Sequence, residues 1–328
     1  MQTEINVPTT LQQAIIYFSD PDIALEFMVD LCFPNGPFCR KCGCLEPTFL
    51  KARRIWQCKG CKKQFSVKTG TIFEDSPIGL DKWICTVWML ANSKNGVSSC
   101  EVARSIGVTQ KTAWFMLHRI RRAMEAGSFE KLDGQVECDE TYIGGKARNM
   151  HGDKRREQRG RGFPKTTVFG LRQRNGEVRT MVVPDATKET LQEKIEEHIE
   201  EGAEVFTDTA RAYNGLSDRY AHRTVDHGSG EYVKEYDGGK AHINAMEGYW
   251  SLLDRCYHGT YVIMSPQHQE RYLAEEDFRY NTRKQKDGER FLSAMYGIIG
   301  RRLTYEELTT SHLLFLNRGE VAPTVSSI

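Results

Sequence analysis

The chain has 328 residues, with 45 Lys and Arg against 44 Asp and Glu, nine His and ten Cys. At about 100–200 residues per domain this is two or three units with room for a core, and 39% hydrophobic with 27% charged residues excludes a disordered chain. No run reaches the roughly 18 apolar residues of a membrane span, and the opening MQTEINVPTTLQQ lacks the basic start and apolar core of a secretory signal. Ten cysteines in such a chain are expected to be reduced thiols or metal ligands.

The net charge of +1 is an average over unlike segments. Nine Lys and Arg with one acid lie between Arg40 and Lys68, five with no acid between Arg104 and Arg122, and eight with two acids between Lys146 and Lys165. A charge run is usually a solvated face, but phosphate affinity follows the local field, so nucleic acid stays open as a partner.

In chain order, residues 1–35 read as a segment of short helices, with Asp20-Pro21-Asp22 as a helix start before IALEFMVDL. Residues 36–73 carry Cys39-x2-Cys42 and Cys58-x2-Cys61, 15 residues apart. Two such knuckles close a tetrahedron of thiolates, and soft thiolates select zinc, so one structural Zn²⁺ is expected in a zinc ribbon. Cys44 is a worse-spaced alternative to Cys42, and Gly43 and Gly60 are expected to give the knuckles their backbone freedom. Arg40, Lys41, Lys51, Arg53, Arg54, Lys59, Lys62 and Lys63 make the ribbon a phosphate-facing surface.

Residues 80–127 are helical by period. Leu80, Trp83, Val87, Trp88 and Leu90 form one stripe, and residues 96–124 then read as helix, turn at Gly107 and helix. Thr109 is a good N-cap, so Gln110, Lys111 and Thr112 would stand where a recognition helix meets the major groove. His118, Arg119, Arg121 and Arg122 are expected to extend a basic end toward phosphates, the alternative being a plain helical hairpin with a solvated basic face.

From about Gly134 to 305 the pattern becomes α/β. QVECDETYIGG, TTVFGLRQR and EVRTMVVPD read as strands, followed by a helix from about Lys188 and the strand EVFTD. A helical turn with Ala210 and Tyr213 and a brief strand near 224–226 come next, then helices at about 242–257, 266–283 and 288–300. The basic segment 146–165 is read as a DNA-contacting loop, with a solvated loop as alternative. Residues 306–328 are expected to be a tail.

Asp139 near the end of the first strand, Asp208 at the end of EVFTD and Glu247 on the helix HINAMEGYWSLLDRCY can converge at one sheet edge, with Asn244 on the same helix flank. Converging acids need cations, and two Mg²⁺ or Mn²⁺ ions suit oxygen ligands and phosphate chemistry. Alone, three acids of 44 carry little weight.

VECDETYIGGK (136–146), FTDTARAY (206–213), HINAMEGYWSLLDRCYHGTY (242–261) and RYLAEEDFRYNTR (271–283), after a zinc ribbon, together resemble the bacterial insertion-sequence transposases related to the eukaryotic Merlin elements. The resemblance implies a ribonuclease-H-like mixed sheet flanked by helices and metal-dependent DNA cutting and joining. Asp139 and Asp208 match the two family aspartates. The third position is Asn or Glu in the family, so Glu247 is preferred as the stronger ligand, with Asn244 supporting. The family usually has Lys seven residues after the glutamate. Here Asp254 stands there, so either Arg255 takes over the DNA contact with shifted geometry or catalysis is impaired.

The leading expectation is a transposase of the cytoplasm and nucleoid that binds the terminal repeats of an element and its target DNA as a homodimer or higher assembly, with no membrane partner. A DNA-binding regulator that lost catalysis and a metal-dependent nuclease without strand transfer are the alternatives.

Overall fold

The computed structural model describes residues 7–125, 130–144, 165–226, 229, 232–236 and 239–310. Most of the basic segment 146–165, His227 and the tail beyond 310 lie outside the described residues.

The N-terminal half begins with helices α1 (Leu11–Phe18) and α2 (Pro21–Cys32). Asp20 caps α2, its carboxylate accepting from the amides of Asp22 and Ile23, with Pro21 in the first turn. Strands β1 (Pro47–Leu50), β2 (Ile55–Cys58) and β3 (Gln64–Phe65) follow as an antiparallel meander. Helices α3 (Leu80–Asn92), α4 (Ser99–Ile106) and α5 (Gln110–Met124) come next. Gly107 ends α4 in a left-handed conformation and Thr109 caps α5, so the turn expected between the two helices is built by the residues that signalled it. The ribbon does not stand alone: Trp56, Phe65 and Val67 are buried in one core with Phe27 and Leu31 of α2 and Trp83 and Trp88 of α3.

The second half is a five-stranded sheet of β4 (Gln135–Ile143), β5 (Thr166–Gln173), β6 (Val178–Val183), β7 (Glu204–Thr207) and β8 (Ala221–Thr224), in the order β6-β5-β4-β7-β8. The β6-β5-β4 part is antiparallel, whereas β4-β7 and β7-β8 are parallel. Helix α6 (Lys188–His198) crosses between β6 and β7. Beyond β8 lie a hairpin of β9 (Lys234–Tyr236) and β10 (Gly239–Ala241), then α7 (Asn244–Cys256) and α8 (Gln269–Asn281). Alternation along β4 sorts the layers. Val136 and Cys138 pack with Leu191 and Ile195 of α6 on one face. Ile143 packs with Leu253 and Tyr257, in and just after α7, on the other. This is the ribonuclease-H-like plan.

Two boundaries differ from expectation. Helix α9 (Asp287–Tyr296) was assigned to a catalytic domain ending at 305, yet Phe291, Ala294 and Met295 lie in the N-terminal core. The main chain after it pairs with the end of the ribbon, Ile72 N donating to Ile298 O at 3.1 Å and Gly300 N to Gly70 O at 2.9 Å. The apolar period predicted the helix but not the core it joins. The expected tail also starts with a helix, α10 (Tyr305–Thr309), capped by Thr304 and anchored by buried Leu308. Among the described residues no helix is long and apolar enough to cross a membrane.

Candidate active site and metal centre

The four predicted cysteines meet. The sulfurs of Cys39, Cys42, Cys58 and Cys61 all lie within 4.8 Å of one another. Cys39 stands 3.7 Å from Cys61 and Cys42 3.4 Å from Cys58. A tetrahedral Zn²⁺ with bonds of about 2.3 Å sets ligand separations of about 3.8 Å, so this donor set fits zinc. Cys44 is not among them. The knuckles are alike in backbone: Gly43 N donates to Cys39 O at 2.8 Å and Lys62 N to Cys58 O at 3.1 Å. Both turn residues have positive φ, 73° at Gly43 and 61° at Lys62. The second knuckle therefore turns at Lys62, not at Gly60 as expected.

The ribbon's basic residues divide. Lys41, Arg53, Lys62 and Lys63 are exposed. Lys41 stands against Lys63 and pulls the latter's pKa down, as two crowded cations do without an anion between them. Arg54 is paired with Asp22 at 2.7 Å, and half-buried Arg40 lies over Phe33 with a weak bond to Gly70 O.

On α5, Gln110 and Lys111 are exposed in the first turn. Gln110 Nε2 donates to Ser99 Oγ at 2.8 Å, Thr112 is tied to Thr109, and the Lys111 ammonium sits 5.1 Å from the Tyr305 ring. The expected basic end is corrected by burial. His118, Arg119 and Arg121 are almost wholly inaccessible, and Arg119 is bonded to the carbonyls of Leu303 and Glu74. Arg122 alone of those four is exposed, and it pairs with Glu125.

At the sheet, β4 and β7 run parallel with Glu137 opposite Phe206. The pairing ends there, but the chain leaving β7 keeps Asp208 close enough to Asp139 for the two charges to interact. Their charges repel, together with that of Glu140. Burial pushes the Asp139 carboxyl up to about 7 against an opposing hydrogen bond from Trp250, and the neighbouring carboxylates add to the rise. Asp208 accepts the amide of Ala210 at 2.8 Å, which fixes the turn after β7. Glu140 faces the other way and accepts from the Tyr213 hydroxyl at 2.5 Å.

Helix α7 is seated over Asp139 by two contacts that the sequence reading missed. Trp250 Nε1 donates to Asp139 Oδ2 at 2.9 Å, so a residue read as plain core also orients the first aspartate. Fully buried Glu137 accepts from the amides of Ala245 and Met246 at 3.1 and 3.0 Å, capping the helix from the sheet. Arg174 holds Glu137 in turn at 3.0 Å, and His242 lies 3.2 Å from it, as a supporting residue. Period-two alternation through VECDE was the available signal, because it puts Glu137 on the face of Asp139. Glu247 is half-buried one turn before Trp250, Asn244 is exposed at the start of α7, and Arg255 is exposed near its end. Asp254 pairs with His258 at 3.2 Å, and both line a cleft with Thr141, Tyr142 and Trp250. Among the described residues, only the cysteines form a group of three or more candidate ligands within 4.8 Å, so the acids do not close as tightly.

Gly170 on β5 lies opposite Asp139. A Cβ there would stand 2.1 Å from Met246 Cε and 2.7 Å from the Trp250 ring. Gly170→Val is therefore expected to lower stability by about 1–3 kcal/mol in urea unfolding. An unchanged midpoint would mean that α7 yields at no cost.

Asp139 stands in the middle of β4, not near its end as expected, and Asp208 just past the end of the neighbouring β7; such a ribonuclease-H-like sheet, behind a ribbon and a helix-turn-helix, is the plan of a transposase. Residues 131–281 match the ISXO2-like transposase domain, and residues 20–64 match the transposase zinc-ribbon domain. A relative from Halobacterium salinarum, described as an uncharacterized protein in transposable element ISH50, is 31% identical over 246 residues, covering 71% of this chain and 81% of the relative. The chain belongs to the insertion-sequence transposase family that carries the ISXO2-like domain. That relative is archaeal, so the family is not confined to the bacteria of the sequence resemblance.

Proposed function

We propose that this chain binds the ends of an insertion sequence and carries out divalent-metal-dependent phosphodiester hydrolysis and strand transfer there. The observation that carries the reading is the electrostatic proximity of Asp139, in the middle of β4, to Asp208, just past the end of β7, with α7 held over Asp139 by Trp250. The donor set is all oxygen, which suits Mg²⁺ or Mn²⁺. A cation would also offset the burial, and the lesser repulsion from Glu140 and Asp208, that together raise the Asp139 carboxyl to about 7. Asp139, Asp208 and Glu247 would hold the metal, with Asn244 supporting. Bound metal supplies charge neutralisation at the phosphate and activation of the attacking hydroxyl. The chain's own part is to aim the acids: Trp250 fixes one oxygen of Asp139, and Glu137 fixes the start of the helix bearing Glu247.

DNA engagement is assigned to the exposed ribbon residues Lys41, Arg53, Lys62 and Lys63, to the α5 tip at Gln110 and Lys111, and to Arg122 and Arg255. Two element ends call for at least a dimer, working in the nucleoid. The test is Mn²⁺-dependent cleavage of a duplex carrying the element end. Asp139→Ala and Asp208→Ala are each expected to reduce it about a thousandfold, on the order of 4 kcal/mol in activation free energy. Unaffected cleavage would overturn the assignment.

Asp254 is the observation that favours a weakened enzyme or a binding-only regulator, because it puts a negative charge into the cleft lined by Trp250, whose indole N–H holds Asp139. Asp254→Lys is expected to raise cleavage roughly tenfold by replacing repulsion of phosphate with attraction. A variant no faster than the parent removes that role for the position.

A further inference from the structure

The interface between α5 and α8 is charged and dry. Arg121, at 1% exposure, donates to Glu275 at 2.6 Å, and its guanidinium carbon lies over the Tyr272 ring, 4.0 Å from the ring centre. Glu275, fully buried, also takes the Tyr261 hydroxyl and Arg279. Arg279 pairs with Glu276, which accepts from the thiol of Cys256, the last residue of α7, at 3.0 Å. Beside them Asp277 takes the Tyr249 hydroxyl of α7 at 2.6 Å and the Thr180 amide of β6 at 2.8 Å. Helix α8 is thus a spine, tied on one side to the helix whose tip presents Gln110 and Lys111, and on the other to the helix that carries Glu247 and holds Asp139 through Trp250.

A buried ion pair adds little stability over well-packed apolar residues. What it opposes is displacement, because a sliding contact strands charges in a dry interface at several kcal/mol each. Successive phosphates on one strand are about 3.4 Å apart along the helix axis, so a one-phosphate error needs a slip larger than these contacts tolerate. An apolar interface of the same size would lack that stop.

We propose that Arg121, Glu275, Glu276 and Arg279 are positioning residues that hold the tip of α5 at a fixed distance from the candidate catalytic acids. They thereby set which phosphodiester is cut relative to the base pairs read. This rests on the transposase reading above.

The test uses the full chain with Arg121→Met and Glu275→Gln together. The change is charge-balanced, leaves Arg279 and Glu276 to pair, and keeps an acceptor for Tyr261. On an end-labelled duplex the parent is expected to give one cut position. The double variant is expected to bind the duplex as before but to cut a ladder of neighbouring phosphates, while amide exchange quickens in α5 and α8 and stays unchanged in β4 and β5. A single cut at the parental phosphate, or unaltered exchange in α5 and α8, overturns the proposal. Should the double variant not fold, Tyr261→Phe, which removes one donor and no charge, is read by the same two measurements, with the same outcomes for and against. A parent that binds and cuts no element end overturns the transposase reading itself. In that case the exchange measurement still separates a coupled interface from an uncoupled one.

Discussion

Asp139→Asn is expected to abolish metal-dependent cleavage while making the metal-free protein more stable at pH 8. The Asp139 carboxyl titrates at about 7 in the fold, above an ordinary value of 3.8, because burial outweighs the Trp250 hydrogen bond. A raised acid binds its proton more tightly folded than unfolded, so its contribution is fully present below about pH 4 and is lost as pH rises through about 7. At pH 8 the parent therefore carries a poorly solvated carboxylate, and asparagine removes that charge while its carbonyl can still accept from Trp250. With one side of the group reached by water, the gain is about 2 kcal/mol, or roughly 4–8 °C in melting temperature. Near pH 4 parent and variant should melt together. Divalent metal should raise the melting temperature of the parent and leave the variant nearly unmoved. A variant less stable than the parent at pH 8 would show that the carboxylate is already paired.

Stripping zinc, or Cys58→Ser, is expected to unfold more than the ribbon. Structural zinc contributes about 10–16 kcal/mol in isolated finger peptides, comparable with or larger than the whole stability of a typical domain. Here the loss spreads, because Trp56 stacks on Phe65 at 5.8 Å and both share a core with α2 and α3. Amide protection should vanish from 39–73 and weaken through α2, α3 and α9, with β4–β8 spared. Duplex binding should fall with it. Retained protection in the ribbon without metal would make the four thiols an ordinary cluster.

Much of this was legible in the sequence because the signals are local. Cysteine spacing defines a knuckle, Asp20 and Thr109 cap the helices they precede, and alternation marks β4 and β5. Asp139 and Asp208 were singled out by motif, while strand position misled, since Asp139 stands in the middle of β4. What was not legible depends on what lies opposite. His118, Arg119 and Arg121 look like a solvated basic end until α8 and the chain at 303 are laid against them. Trp250 looks like core until its indole N–H finds Asp139. Glu137 is one acid among several in VECDE until a helix start needs its oxygens. A period gives the face of a helix or strand, never the partner, and so α9 was placed in the wrong core.

The position of α9 also bears on the order in which the protein can be made. The core around Phe27 and Trp88 lacks Phe291 until the whole sheet has left the ribosome, a delay on the order of ten seconds at ordinary synthesis rates. A nascent or truncated chain therefore holds an unfinished N-terminal core. On the proposed function, firm DNA binding is expected only of a polypeptide that already possesses its α/β domain, and a fragment ending near Met124 should neither fold well nor compete for element ends.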